Sequence, residues 1–360
     1  MKKIDFTVVF CIFCFVLSFK TLAQDSIQAS KLKIDFSGYI ETYYCYDFNR
    51  PTAVARQNFI YNYNRHNEFN FNIALLRTVV SYENFYANIA IHEGTYVTDN
   101  YAAENLKLFN EAYVGAYLDH ARKASLDVGI FASNIGFESP STAANLTLTR
   151  SLLSENTPSY LSGVRLSYKP NNQWTFVGII DNGWQRISKP NRKALPAFGS
   201  QIVYKTSVKS IFNWSTFIGD EPIEENLRTR YYNNFFWDYQ WTGKFRTITG
   251  FDIGYQKKMS EKGYSKCSSP VLIGQYTINK KWQTAVRTEY YEDPDNVIIA
   301  FNSGNFKVYG NSLNVDFLPN SKVKLRTEAR WLHSAAPVFV RDENLVKDSF
   351  FVTTSLSLEW

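Results

Sequence analysis

Lys324, Arg326, Glu328 and Arg330 occupy every second position of the run KVKLRTEARWL, with Val323, Leu325, Thr327, Ala329 and Trp331 between them. Charges of both signs at a spacing of two share one face of an extended strand, and the intervening residues take the other face. Such a row must meet water, another charge or a solute, which is the chemistry of solute passage rather than bond making. The same alternation puts Arg246 and Asp252 on one face of KFRTITGFDIGYQ, Arg287 beside Glu289, and Glu111 opposite the apolar row of LKLFNEAYVGAYL. These nine residues are the candidate lining of a water-filled lumen. Their signs are mixed, which could set a field across the pore but does not indicate whether anions or cations are preferred.

Catalytic patterns are lacking. There are four histidines, His66, His92, His120 and His333. His92 and Glu93 are strand neighbours and point to opposite faces, so they form no base–orienter pair. A hydrolase would need Ser or Asp within hydrogen-bond reach of His92 or His333. No nucleophile signature, metal-ligand spacing or Gly-rich phosphate loop occurs, and no cofactor is expected. Glu292, Asp293, Asp295 and Asn296 read as a solvated turn broken by Pro294 before they read as a calcium loop. The aromatic run YYNNFFWDYQW, Tyr231 to Trp241, reads first as part of an interfacial girdle and second as a sugar platform.

The elements that position these rows are strands. The final residues, FFVTTSLSLEW, put Phe350, Val352, Thr354, Leu356, Leu358 and Trp360 on one face and Phe351, Thr353, Ser355, Ser357 and Glu359 on the other. About ten residues is the length of a tilted strand crossing a bilayer. The terminal aromatic resembles the strand by which outer-membrane barrels engage the barrel-assembly machinery. Composition agrees: 17% aromatic residues against 20% charged, a mildly polar mean hydropathy, and one long apolar run, near the N-terminus. That run lies in MKKIDFTVVFCIFCFVLSFKTLAQ, read as a signal peptide over residues 1–23 cleaved after Ala23; residues 24–360 then form one barrel domain. Removing the leader changes 39 basic and 33 acidic residues to 36 and 32, a net charge of +4, which does not suggest nucleic acid. Cys45 and Cys267 remain, and their pairing is open.

Short turns near Ser81–Asn84, His120–Arg122, Pro170–Asn172, Ser207–Lys209, Thr242–Lys244, Asn279–Lys280 and Pro319–Ser321 alternate with long connections. The long ones are 47–67, 94–105, 133–159, 184–196, 220–229, 256–268, 291–305 and 333–349. That phasing predicts an all-β fold: a single transmembrane antiparallel β-barrel of about sixteen strands (14–18), with short periplasmic turns and long extracellular loops. The stretch 133–159 is the longest, and its middle, 146–153, is apolar for an exposed loop. It is expected to fold into the lumen as a constriction, with Glu138, Arg150 and Glu155 near the narrowing. Capping the outer mouth, or contacting a neighbour, is the alternative. A sixteen-stranded lumen is wide enough for an aqueous channel rather than a packed core.

RHNEFNFNIAL, GTYVTDNYAAEN, DVGIFASNIGFESP, LTRSLLSENTPSY, NGWQRI, PAFGSQIVYK, STFIGDEP, GFDIGYQ and EYYEDPDNVIIA occur in this order along the chain. In these segments the chain resembles the putative β-barrel porin family, OmpL-like, of Gram-negative outer-membrane proteins. The resemblance implies an outer-membrane barrel and a pore, and brings no catalytic residues. The expected function is passive diffusion of small hydrophilic solutes. The alternative is a non-conducting barrel whose extracellular loops bind a partner or surface. The expected partners are outer-membrane lipid, the assembly machinery and small solutes, without nucleic acid; a homo-oligomer is compatible but not demanded.

Overall fold

The computed structural model describes residues 32–360 apart from 190–192, 224–225, 259–261 and 302–304. The leader expected over Met1–Ala23 lies outside the described residues. Sixteen antiparallel strands close one barrel: β1 (Leu32–Asp47), β2 (Phe69–Tyr82), β3 (Phe85–Glu93), β4 (Phe109–Tyr117), β5 (Ala124–Ala132), β6 (Tyr160–Tyr168), β7 (Trp174–Asp181), β8 (Ala197–Ser207), β9 (Ser210–Ile223), β10 (Asn226–Gln240), β11 (Phe245–Lys257), β12 (Tyr264–Thr277), β13 (Trp282–Asp293), β14 (Phe306–Phe317), β15 (Val323–Ser334) and β18 (Asp348–Glu359). Two short strands, β16 (Phe339–Arg341) and β17 (Asn344–Val346), form a ribbon inside the last long connection. Every barrel strand pairs with its chain neighbours, and β1 closes on β18.

Each strand keeps one face apolar and outward. On β13 and β14, Val286 and Leu313 lie opposite each other with more than half their surface exposed, while Arg287 and Ser312, one residue along, are buried inside. A one-residue slip would put a guanidinium into hydrocarbon, so the register is unambiguous. Val286→Arg is therefore expected to cost about 2–4 kcal/mol in lipid, and Lys281→Arg, in a short turn, close to nothing; urea titration of barrels refolded into vesicles checks both.

Local chemistry sets the short turns. In three of them an asparagine side chain accepts two backbone amides: Asn171 from Gln173 and Trp174, Asn279 from Lys281 and Trp282, Asn320 from Lys322 and Val323. This Asx arrangement fixes a tight reversal without help from the core. The closing seam depends on close approach. Gly38 and Trp360 exchange backbone hydrogen bonds at 3.0 and 3.1 Å, and the Trp360 ring fills the space that a side chain at residue 38 would need.

Two expected long connections are shorter than the sequence suggests. The segment 220–229 is mostly ladder, with Glu221 paired to Arg228 and Asp220 to Thr229, and β11 and β12 leave only 258–263 between them. Strands that rise above the bilayer need no apolar face, so their polar ends look like loop in sequence. In the other direction, β4 starts at Phe109 rather than Leu106, after a register shift against Ala90 and Ile91 of β3. The aromatic run of β10 is also differently placed: it spans the strand, and Trp237, Tyr239 and Trp241 cluster at its short-turn end rather than just below an outer loop.

The lumen is not uniformly wet. Toward the outer end the inward rows turn apolar, and Tyr43, Cys45, Tyr291, Phe306, Val308, Leu332 and Phe351 pack against Phe59, Leu148, Ile299 and Phe339 from four different loops. A second cluster joins Ile73 and Ile130 to Tyr96 and Val97 of a short helix, α1 (Thr95–Asn100). The expectation of an unfilled lumen thus fails in the outer half. Inward apolar side chains there bury themselves against loops instead of facing water.

Candidate functional site

The loop 133–159, between β5 and β6, enters the barrel and lies along the wall formed by β13, β14 and β15. Its backbone is held by wall charges. Glu328 accepts the Thr149 amide at 2.5 Å and Glu289 the Leu152 amide at 2.7 Å. Arg287 donates to the Thr149 carbonyl at 2.6 Å, and Arg330 to the Arg150 carbonyl at 3.0 Å. Further along, Arg326 donates to the carbonyls of Thr142 (2.9 Å) and Asn145 (3.1 Å), and Lys324 to that of Ala143. Leu146, Leu148, Leu152 and Leu153 fill apolar gaps between these polar contacts. The carboxylates accept amides and the guanidiniums meet carbonyls, so a stretch with little regular structure has its polar backbone satisfied.

The four central charges also pair across β14. Arg287 lies 2.8 Å from Glu328 and 3.2 Å from Glu289; Glu289 lies 2.6 Å from Arg330. Bridging from β13 to β15 over an intervening strand requires small residues on it, and Ser312 and Gly310 stand there. A Cβ at Gly310 would come within 2.9 Å of a Glu289 carboxylate oxygen. All four side chains are at most 2% exposed.

The loop is locked to its neighbours as well as to the wall. Glu138 accepts the Ser151 amide (2.8 Å) and hydroxyl (2.5 Å), and Ser151 caps the short helix α2 (Leu152–Glu155) through the Ser154 amide. Glu155 accepts the amides of Tyr61 and Asn62 from the first outer loop at 3.0 and 3.3 Å. Burial raises the Glu155 carboxyl above its ordinary range, against the pull of Arg150, whose guanidinium lies 4.0 Å away. Arg150 turns back on its own loop, donating to the Ser154 carbonyl.

Cavities lie on both sides of the loop. On the outer side a space of about 180 Å³ is lined by Tyr61, Glu155, Thr157, Trp184 and Arg186. On the short-turn side are two larger ones, about 420 Å³ beside Arg77, Glu111 and Trp360, and about 600 Å³ beside Tyr86, Asp127 and Arg165. Gly136, lining the larger inner cavity, faces Thr157, lining the outer one; a Cβ at residue 136 would lie 3.3 Å from that hydroxyl. Gly136 has a φ of +94°, a conformation other residues rarely adopt.

Where the structure places the expected lining residues therefore divides them. All nine point inward. Arg287, Glu289, Arg326, Glu328 and Arg330 are covered by the loop and anchor it, while Lys324 is half-buried beneath it. Asp252 is buried against Tyr232 (2.8 Å) and Asn234 (2.5 Å). Glu111, held by Arg77 at 3.1 Å and by Asn88, borders an inner cavity, and Arg246 is partly exposed with Asp238 at 2.5 Å. Glu138 and Arg150 are enclosed by the loop's own contacts, and Glu155 borders the outer cavity.

Several inward charges escaped sequence reading. Asp316, 2.8 Å from Arg326, could have been found by counting outward from the turn at Pro319, because one short hairpin joins them. Asp127 and Arg165, 2.9 Å apart and directly opposite on β5 and β6, are separated by the long loop, so no turn sets their register. Asp293 uses its carboxylate on the amides of Val297, Ile298 and Ile299, which makes the acidic stretch a turn; no metal-holding group occurs among the described residues. Cys45 and Cys267 are free and buried in separate clusters. His92 Nε2 lies 3.1 Å from the Lys107 carbonyl, whereas His333 Nδ1 does lie 2.9 Å from Asp348. That exposed pair is on the outer wall, beside Trp331, and no serine or cysteine is among the partners described for it.

The barrel resembles solved porins over nearly its whole length. It superposes on the outer-membrane channel DcaP of Acinetobacter baumannii with a TM-score of 0.63 at 12% identity, covering 94% of this chain and 100% of that one. Against the anion-selective porin from Comamonas acidovorans the TM-score is 0.59 at 9% identity, covering 91% and 100%. Against Salmonella typhi OmpF in complex with daunomycin it is 0.59 at 11% identity, covering 93% and 99%. Identities this low establish the fold alone. No curated protein matches the sequence significantly. A family model does: described as "Putative beta-barrel porin-2, OmpL-like", it matches residues 33–359, and the chain therefore belongs to that family.

Proposed function

We propose that this protein is an outer-membrane channel for small hydrophilic solutes, non-enzymatic, whose bore is set by the loop 133–159. The observation that carries the reading is the set of cavities on both sides of this loop, two toward the short turns and one toward the outer end; Gly136 lines the larger inner cavity and faces Thr157, which lines the outer one. Glu138, Arg150 and Glu155 set the loop's shape, and Glu111 and Arg246 meet the solute. Export through a leader cleaved after Ala23 and assembly through β18 complete the reading. Purified protein in planar bilayers is expected to give discrete conductance steps, and vesicles containing it should swell in isotonic sugar.

One observation favours a second reading. The outer half is packed by apolar clusters from several loops, as in a closed barrel that presents its loops to a partner or surface. A sealed bilayer at high protein-to-lipid ratio would select this reading over the first.

A further inference from the structure

The surplus of basic residues gathers at one end of the barrel. Each short turn after the first carries a lysine (Lys123, Lys169, Lys209, Lys244, Lys280, Lys322), whereas the acidic residues in these turns are Glu83 and Asp119. At the opposite end charges meet in closed pairs, such as Arg65 with Asp99 at 2.6 Å, Arg56 with Asp47 at 3.1 Å, and Arg230 with Glu221 at 3.8 Å.

The larger inner cavity, about 600 Å³, lies at the basic end, and its charged lining is Arg122, Lys123, Arg165, Lys169 and a single carboxylate, Asp127. Asp127 is already engaged. It accepts from Arg165 Nε at 2.9 Å and from the Tyr86 hydroxyl at 2.5 Å. Asp119, the nearest turn acid, accepts the backbone amides of Lys123 and Ala124 at 3.0 and 2.8 Å. Arg122 is held at the mouth by the Glu83 carbonyl (3.0 Å) and the face of Tyr117. Arg122, Lys123 and Lys169 are thus in excess over the acids lining the cavity.

We propose that this cavity is an anion-collecting vestibule, which makes the channel prefer small anions over cations of similar size. The inference rests on the channel reading above. Three surplus positive charges around a concave space with low-dielectric walls raise the local potential and concentrate counter-ions. A mean potential of about one kT, at the low end of what such clusters produce, favours anion over cation occupancy about sevenfold. The effect is strong while the screening length matches the chamber, about 10 Å at 0.1 M salt, and fades near 1 M, where it falls to about 3 Å.

The test is the reversal potential of the full chain in a KCl gradient, together with binding of a pyrene trisulfonate dye to the detergent-solubilised barrel, read by anisotropy. The wild type should favour chloride about sevenfold in dilute salt and lose the preference near 1 M. The variant Arg122→Gln, Lys123→Gln, Lys169→Gln should lose both the preference and dye binding. Lys257→Gln with Lys266→Gln, near the outer end, should lose neither. A conducting wild type with no preference, or a cation preference, overturns the proposal, as does a triple variant that keeps the anion preference. If no current flows, the channel reading has failed, and the dye decides about the vestibule: binding lost in the triple variant sustains it, and no binding by the wild type removes it.

Discussion

Replacing Glu289 with alanine is expected to destabilise the barrel by about 3–5 kcal/mol, the usual cost of orphaning one side of a buried ion pair. Glu289 is the shared anion between Arg287 at 3.2 Å and Arg330 at 2.6 Å, and it also accepts the Leu152 amide. Without it, two guanidiniums share a buried space with Glu328 as their one remaining wall carboxylate, and the loop loses an anchor. Urea titration of refolded barrels, followed by tryptophan fluorescence, reads the stability. The double variant Glu289→Met, Arg330→Met should recover much of the loss, because Arg287 keeps Glu328 at 2.8 Å; together with the two single methionine variants it closes a cycle that measures the coupling. Arg246→Met is the contrast. Its pair with Asp238 is partly solvated, so the change should stay within about 1 kcal/mol. If Glu289→Ala is as mild as Arg246→Met, the clamp does not hold the loop.

Deleting residues 143–153 should raise single-channel conductance severalfold. The segment carries Leu146, Leu148, Leu152 and Leu153, which fill gaps inside the barrel, and it covers the charged row from Arg287 to Arg330. Once it is gone, water reaches that row, and a sixteen-stranded wall encloses a channel rather than a core. The strands themselves pair only with one another, so the barrel should still close. Assembly is checked by the strand signal in circular dichroism and by heat-dependent mobility in detergent gels. An assembled deletion variant with unchanged conductance would mean that the bore is set elsewhere, most directly by the apolar packing around Phe59, Phe306 and Phe339. Glu289→Ala and the deletion also inform each other: a loosened loop should show flickering current where its removal shows a steady increase.

The alternation at Val323 to Trp331 and at Phe350 to Trp360 determined, without any structure, which face of the wall is oily, that the chain closes as a barrel, and about how many strands it has. Period-two patterning is local, and burying charge in lipid is costly enough to exclude the other register. Asparagine turns such as Asn171 and Asn320 are equally local. What only the tertiary structure decided is what the inward rows face. Arg287 and Glu328 read alike as wet wall charges, yet they are buried under a loop more than a hundred residues away in sequence, while Arg77 and Asp127, unremarked in sequence, border open cavities. The reason is that a strand's two faces are set by its own residues, and the length and apolar middle of 133–159 mark it as a loop that enters, whereas which wall charges it covers is a long-range choice that no spacing encodes.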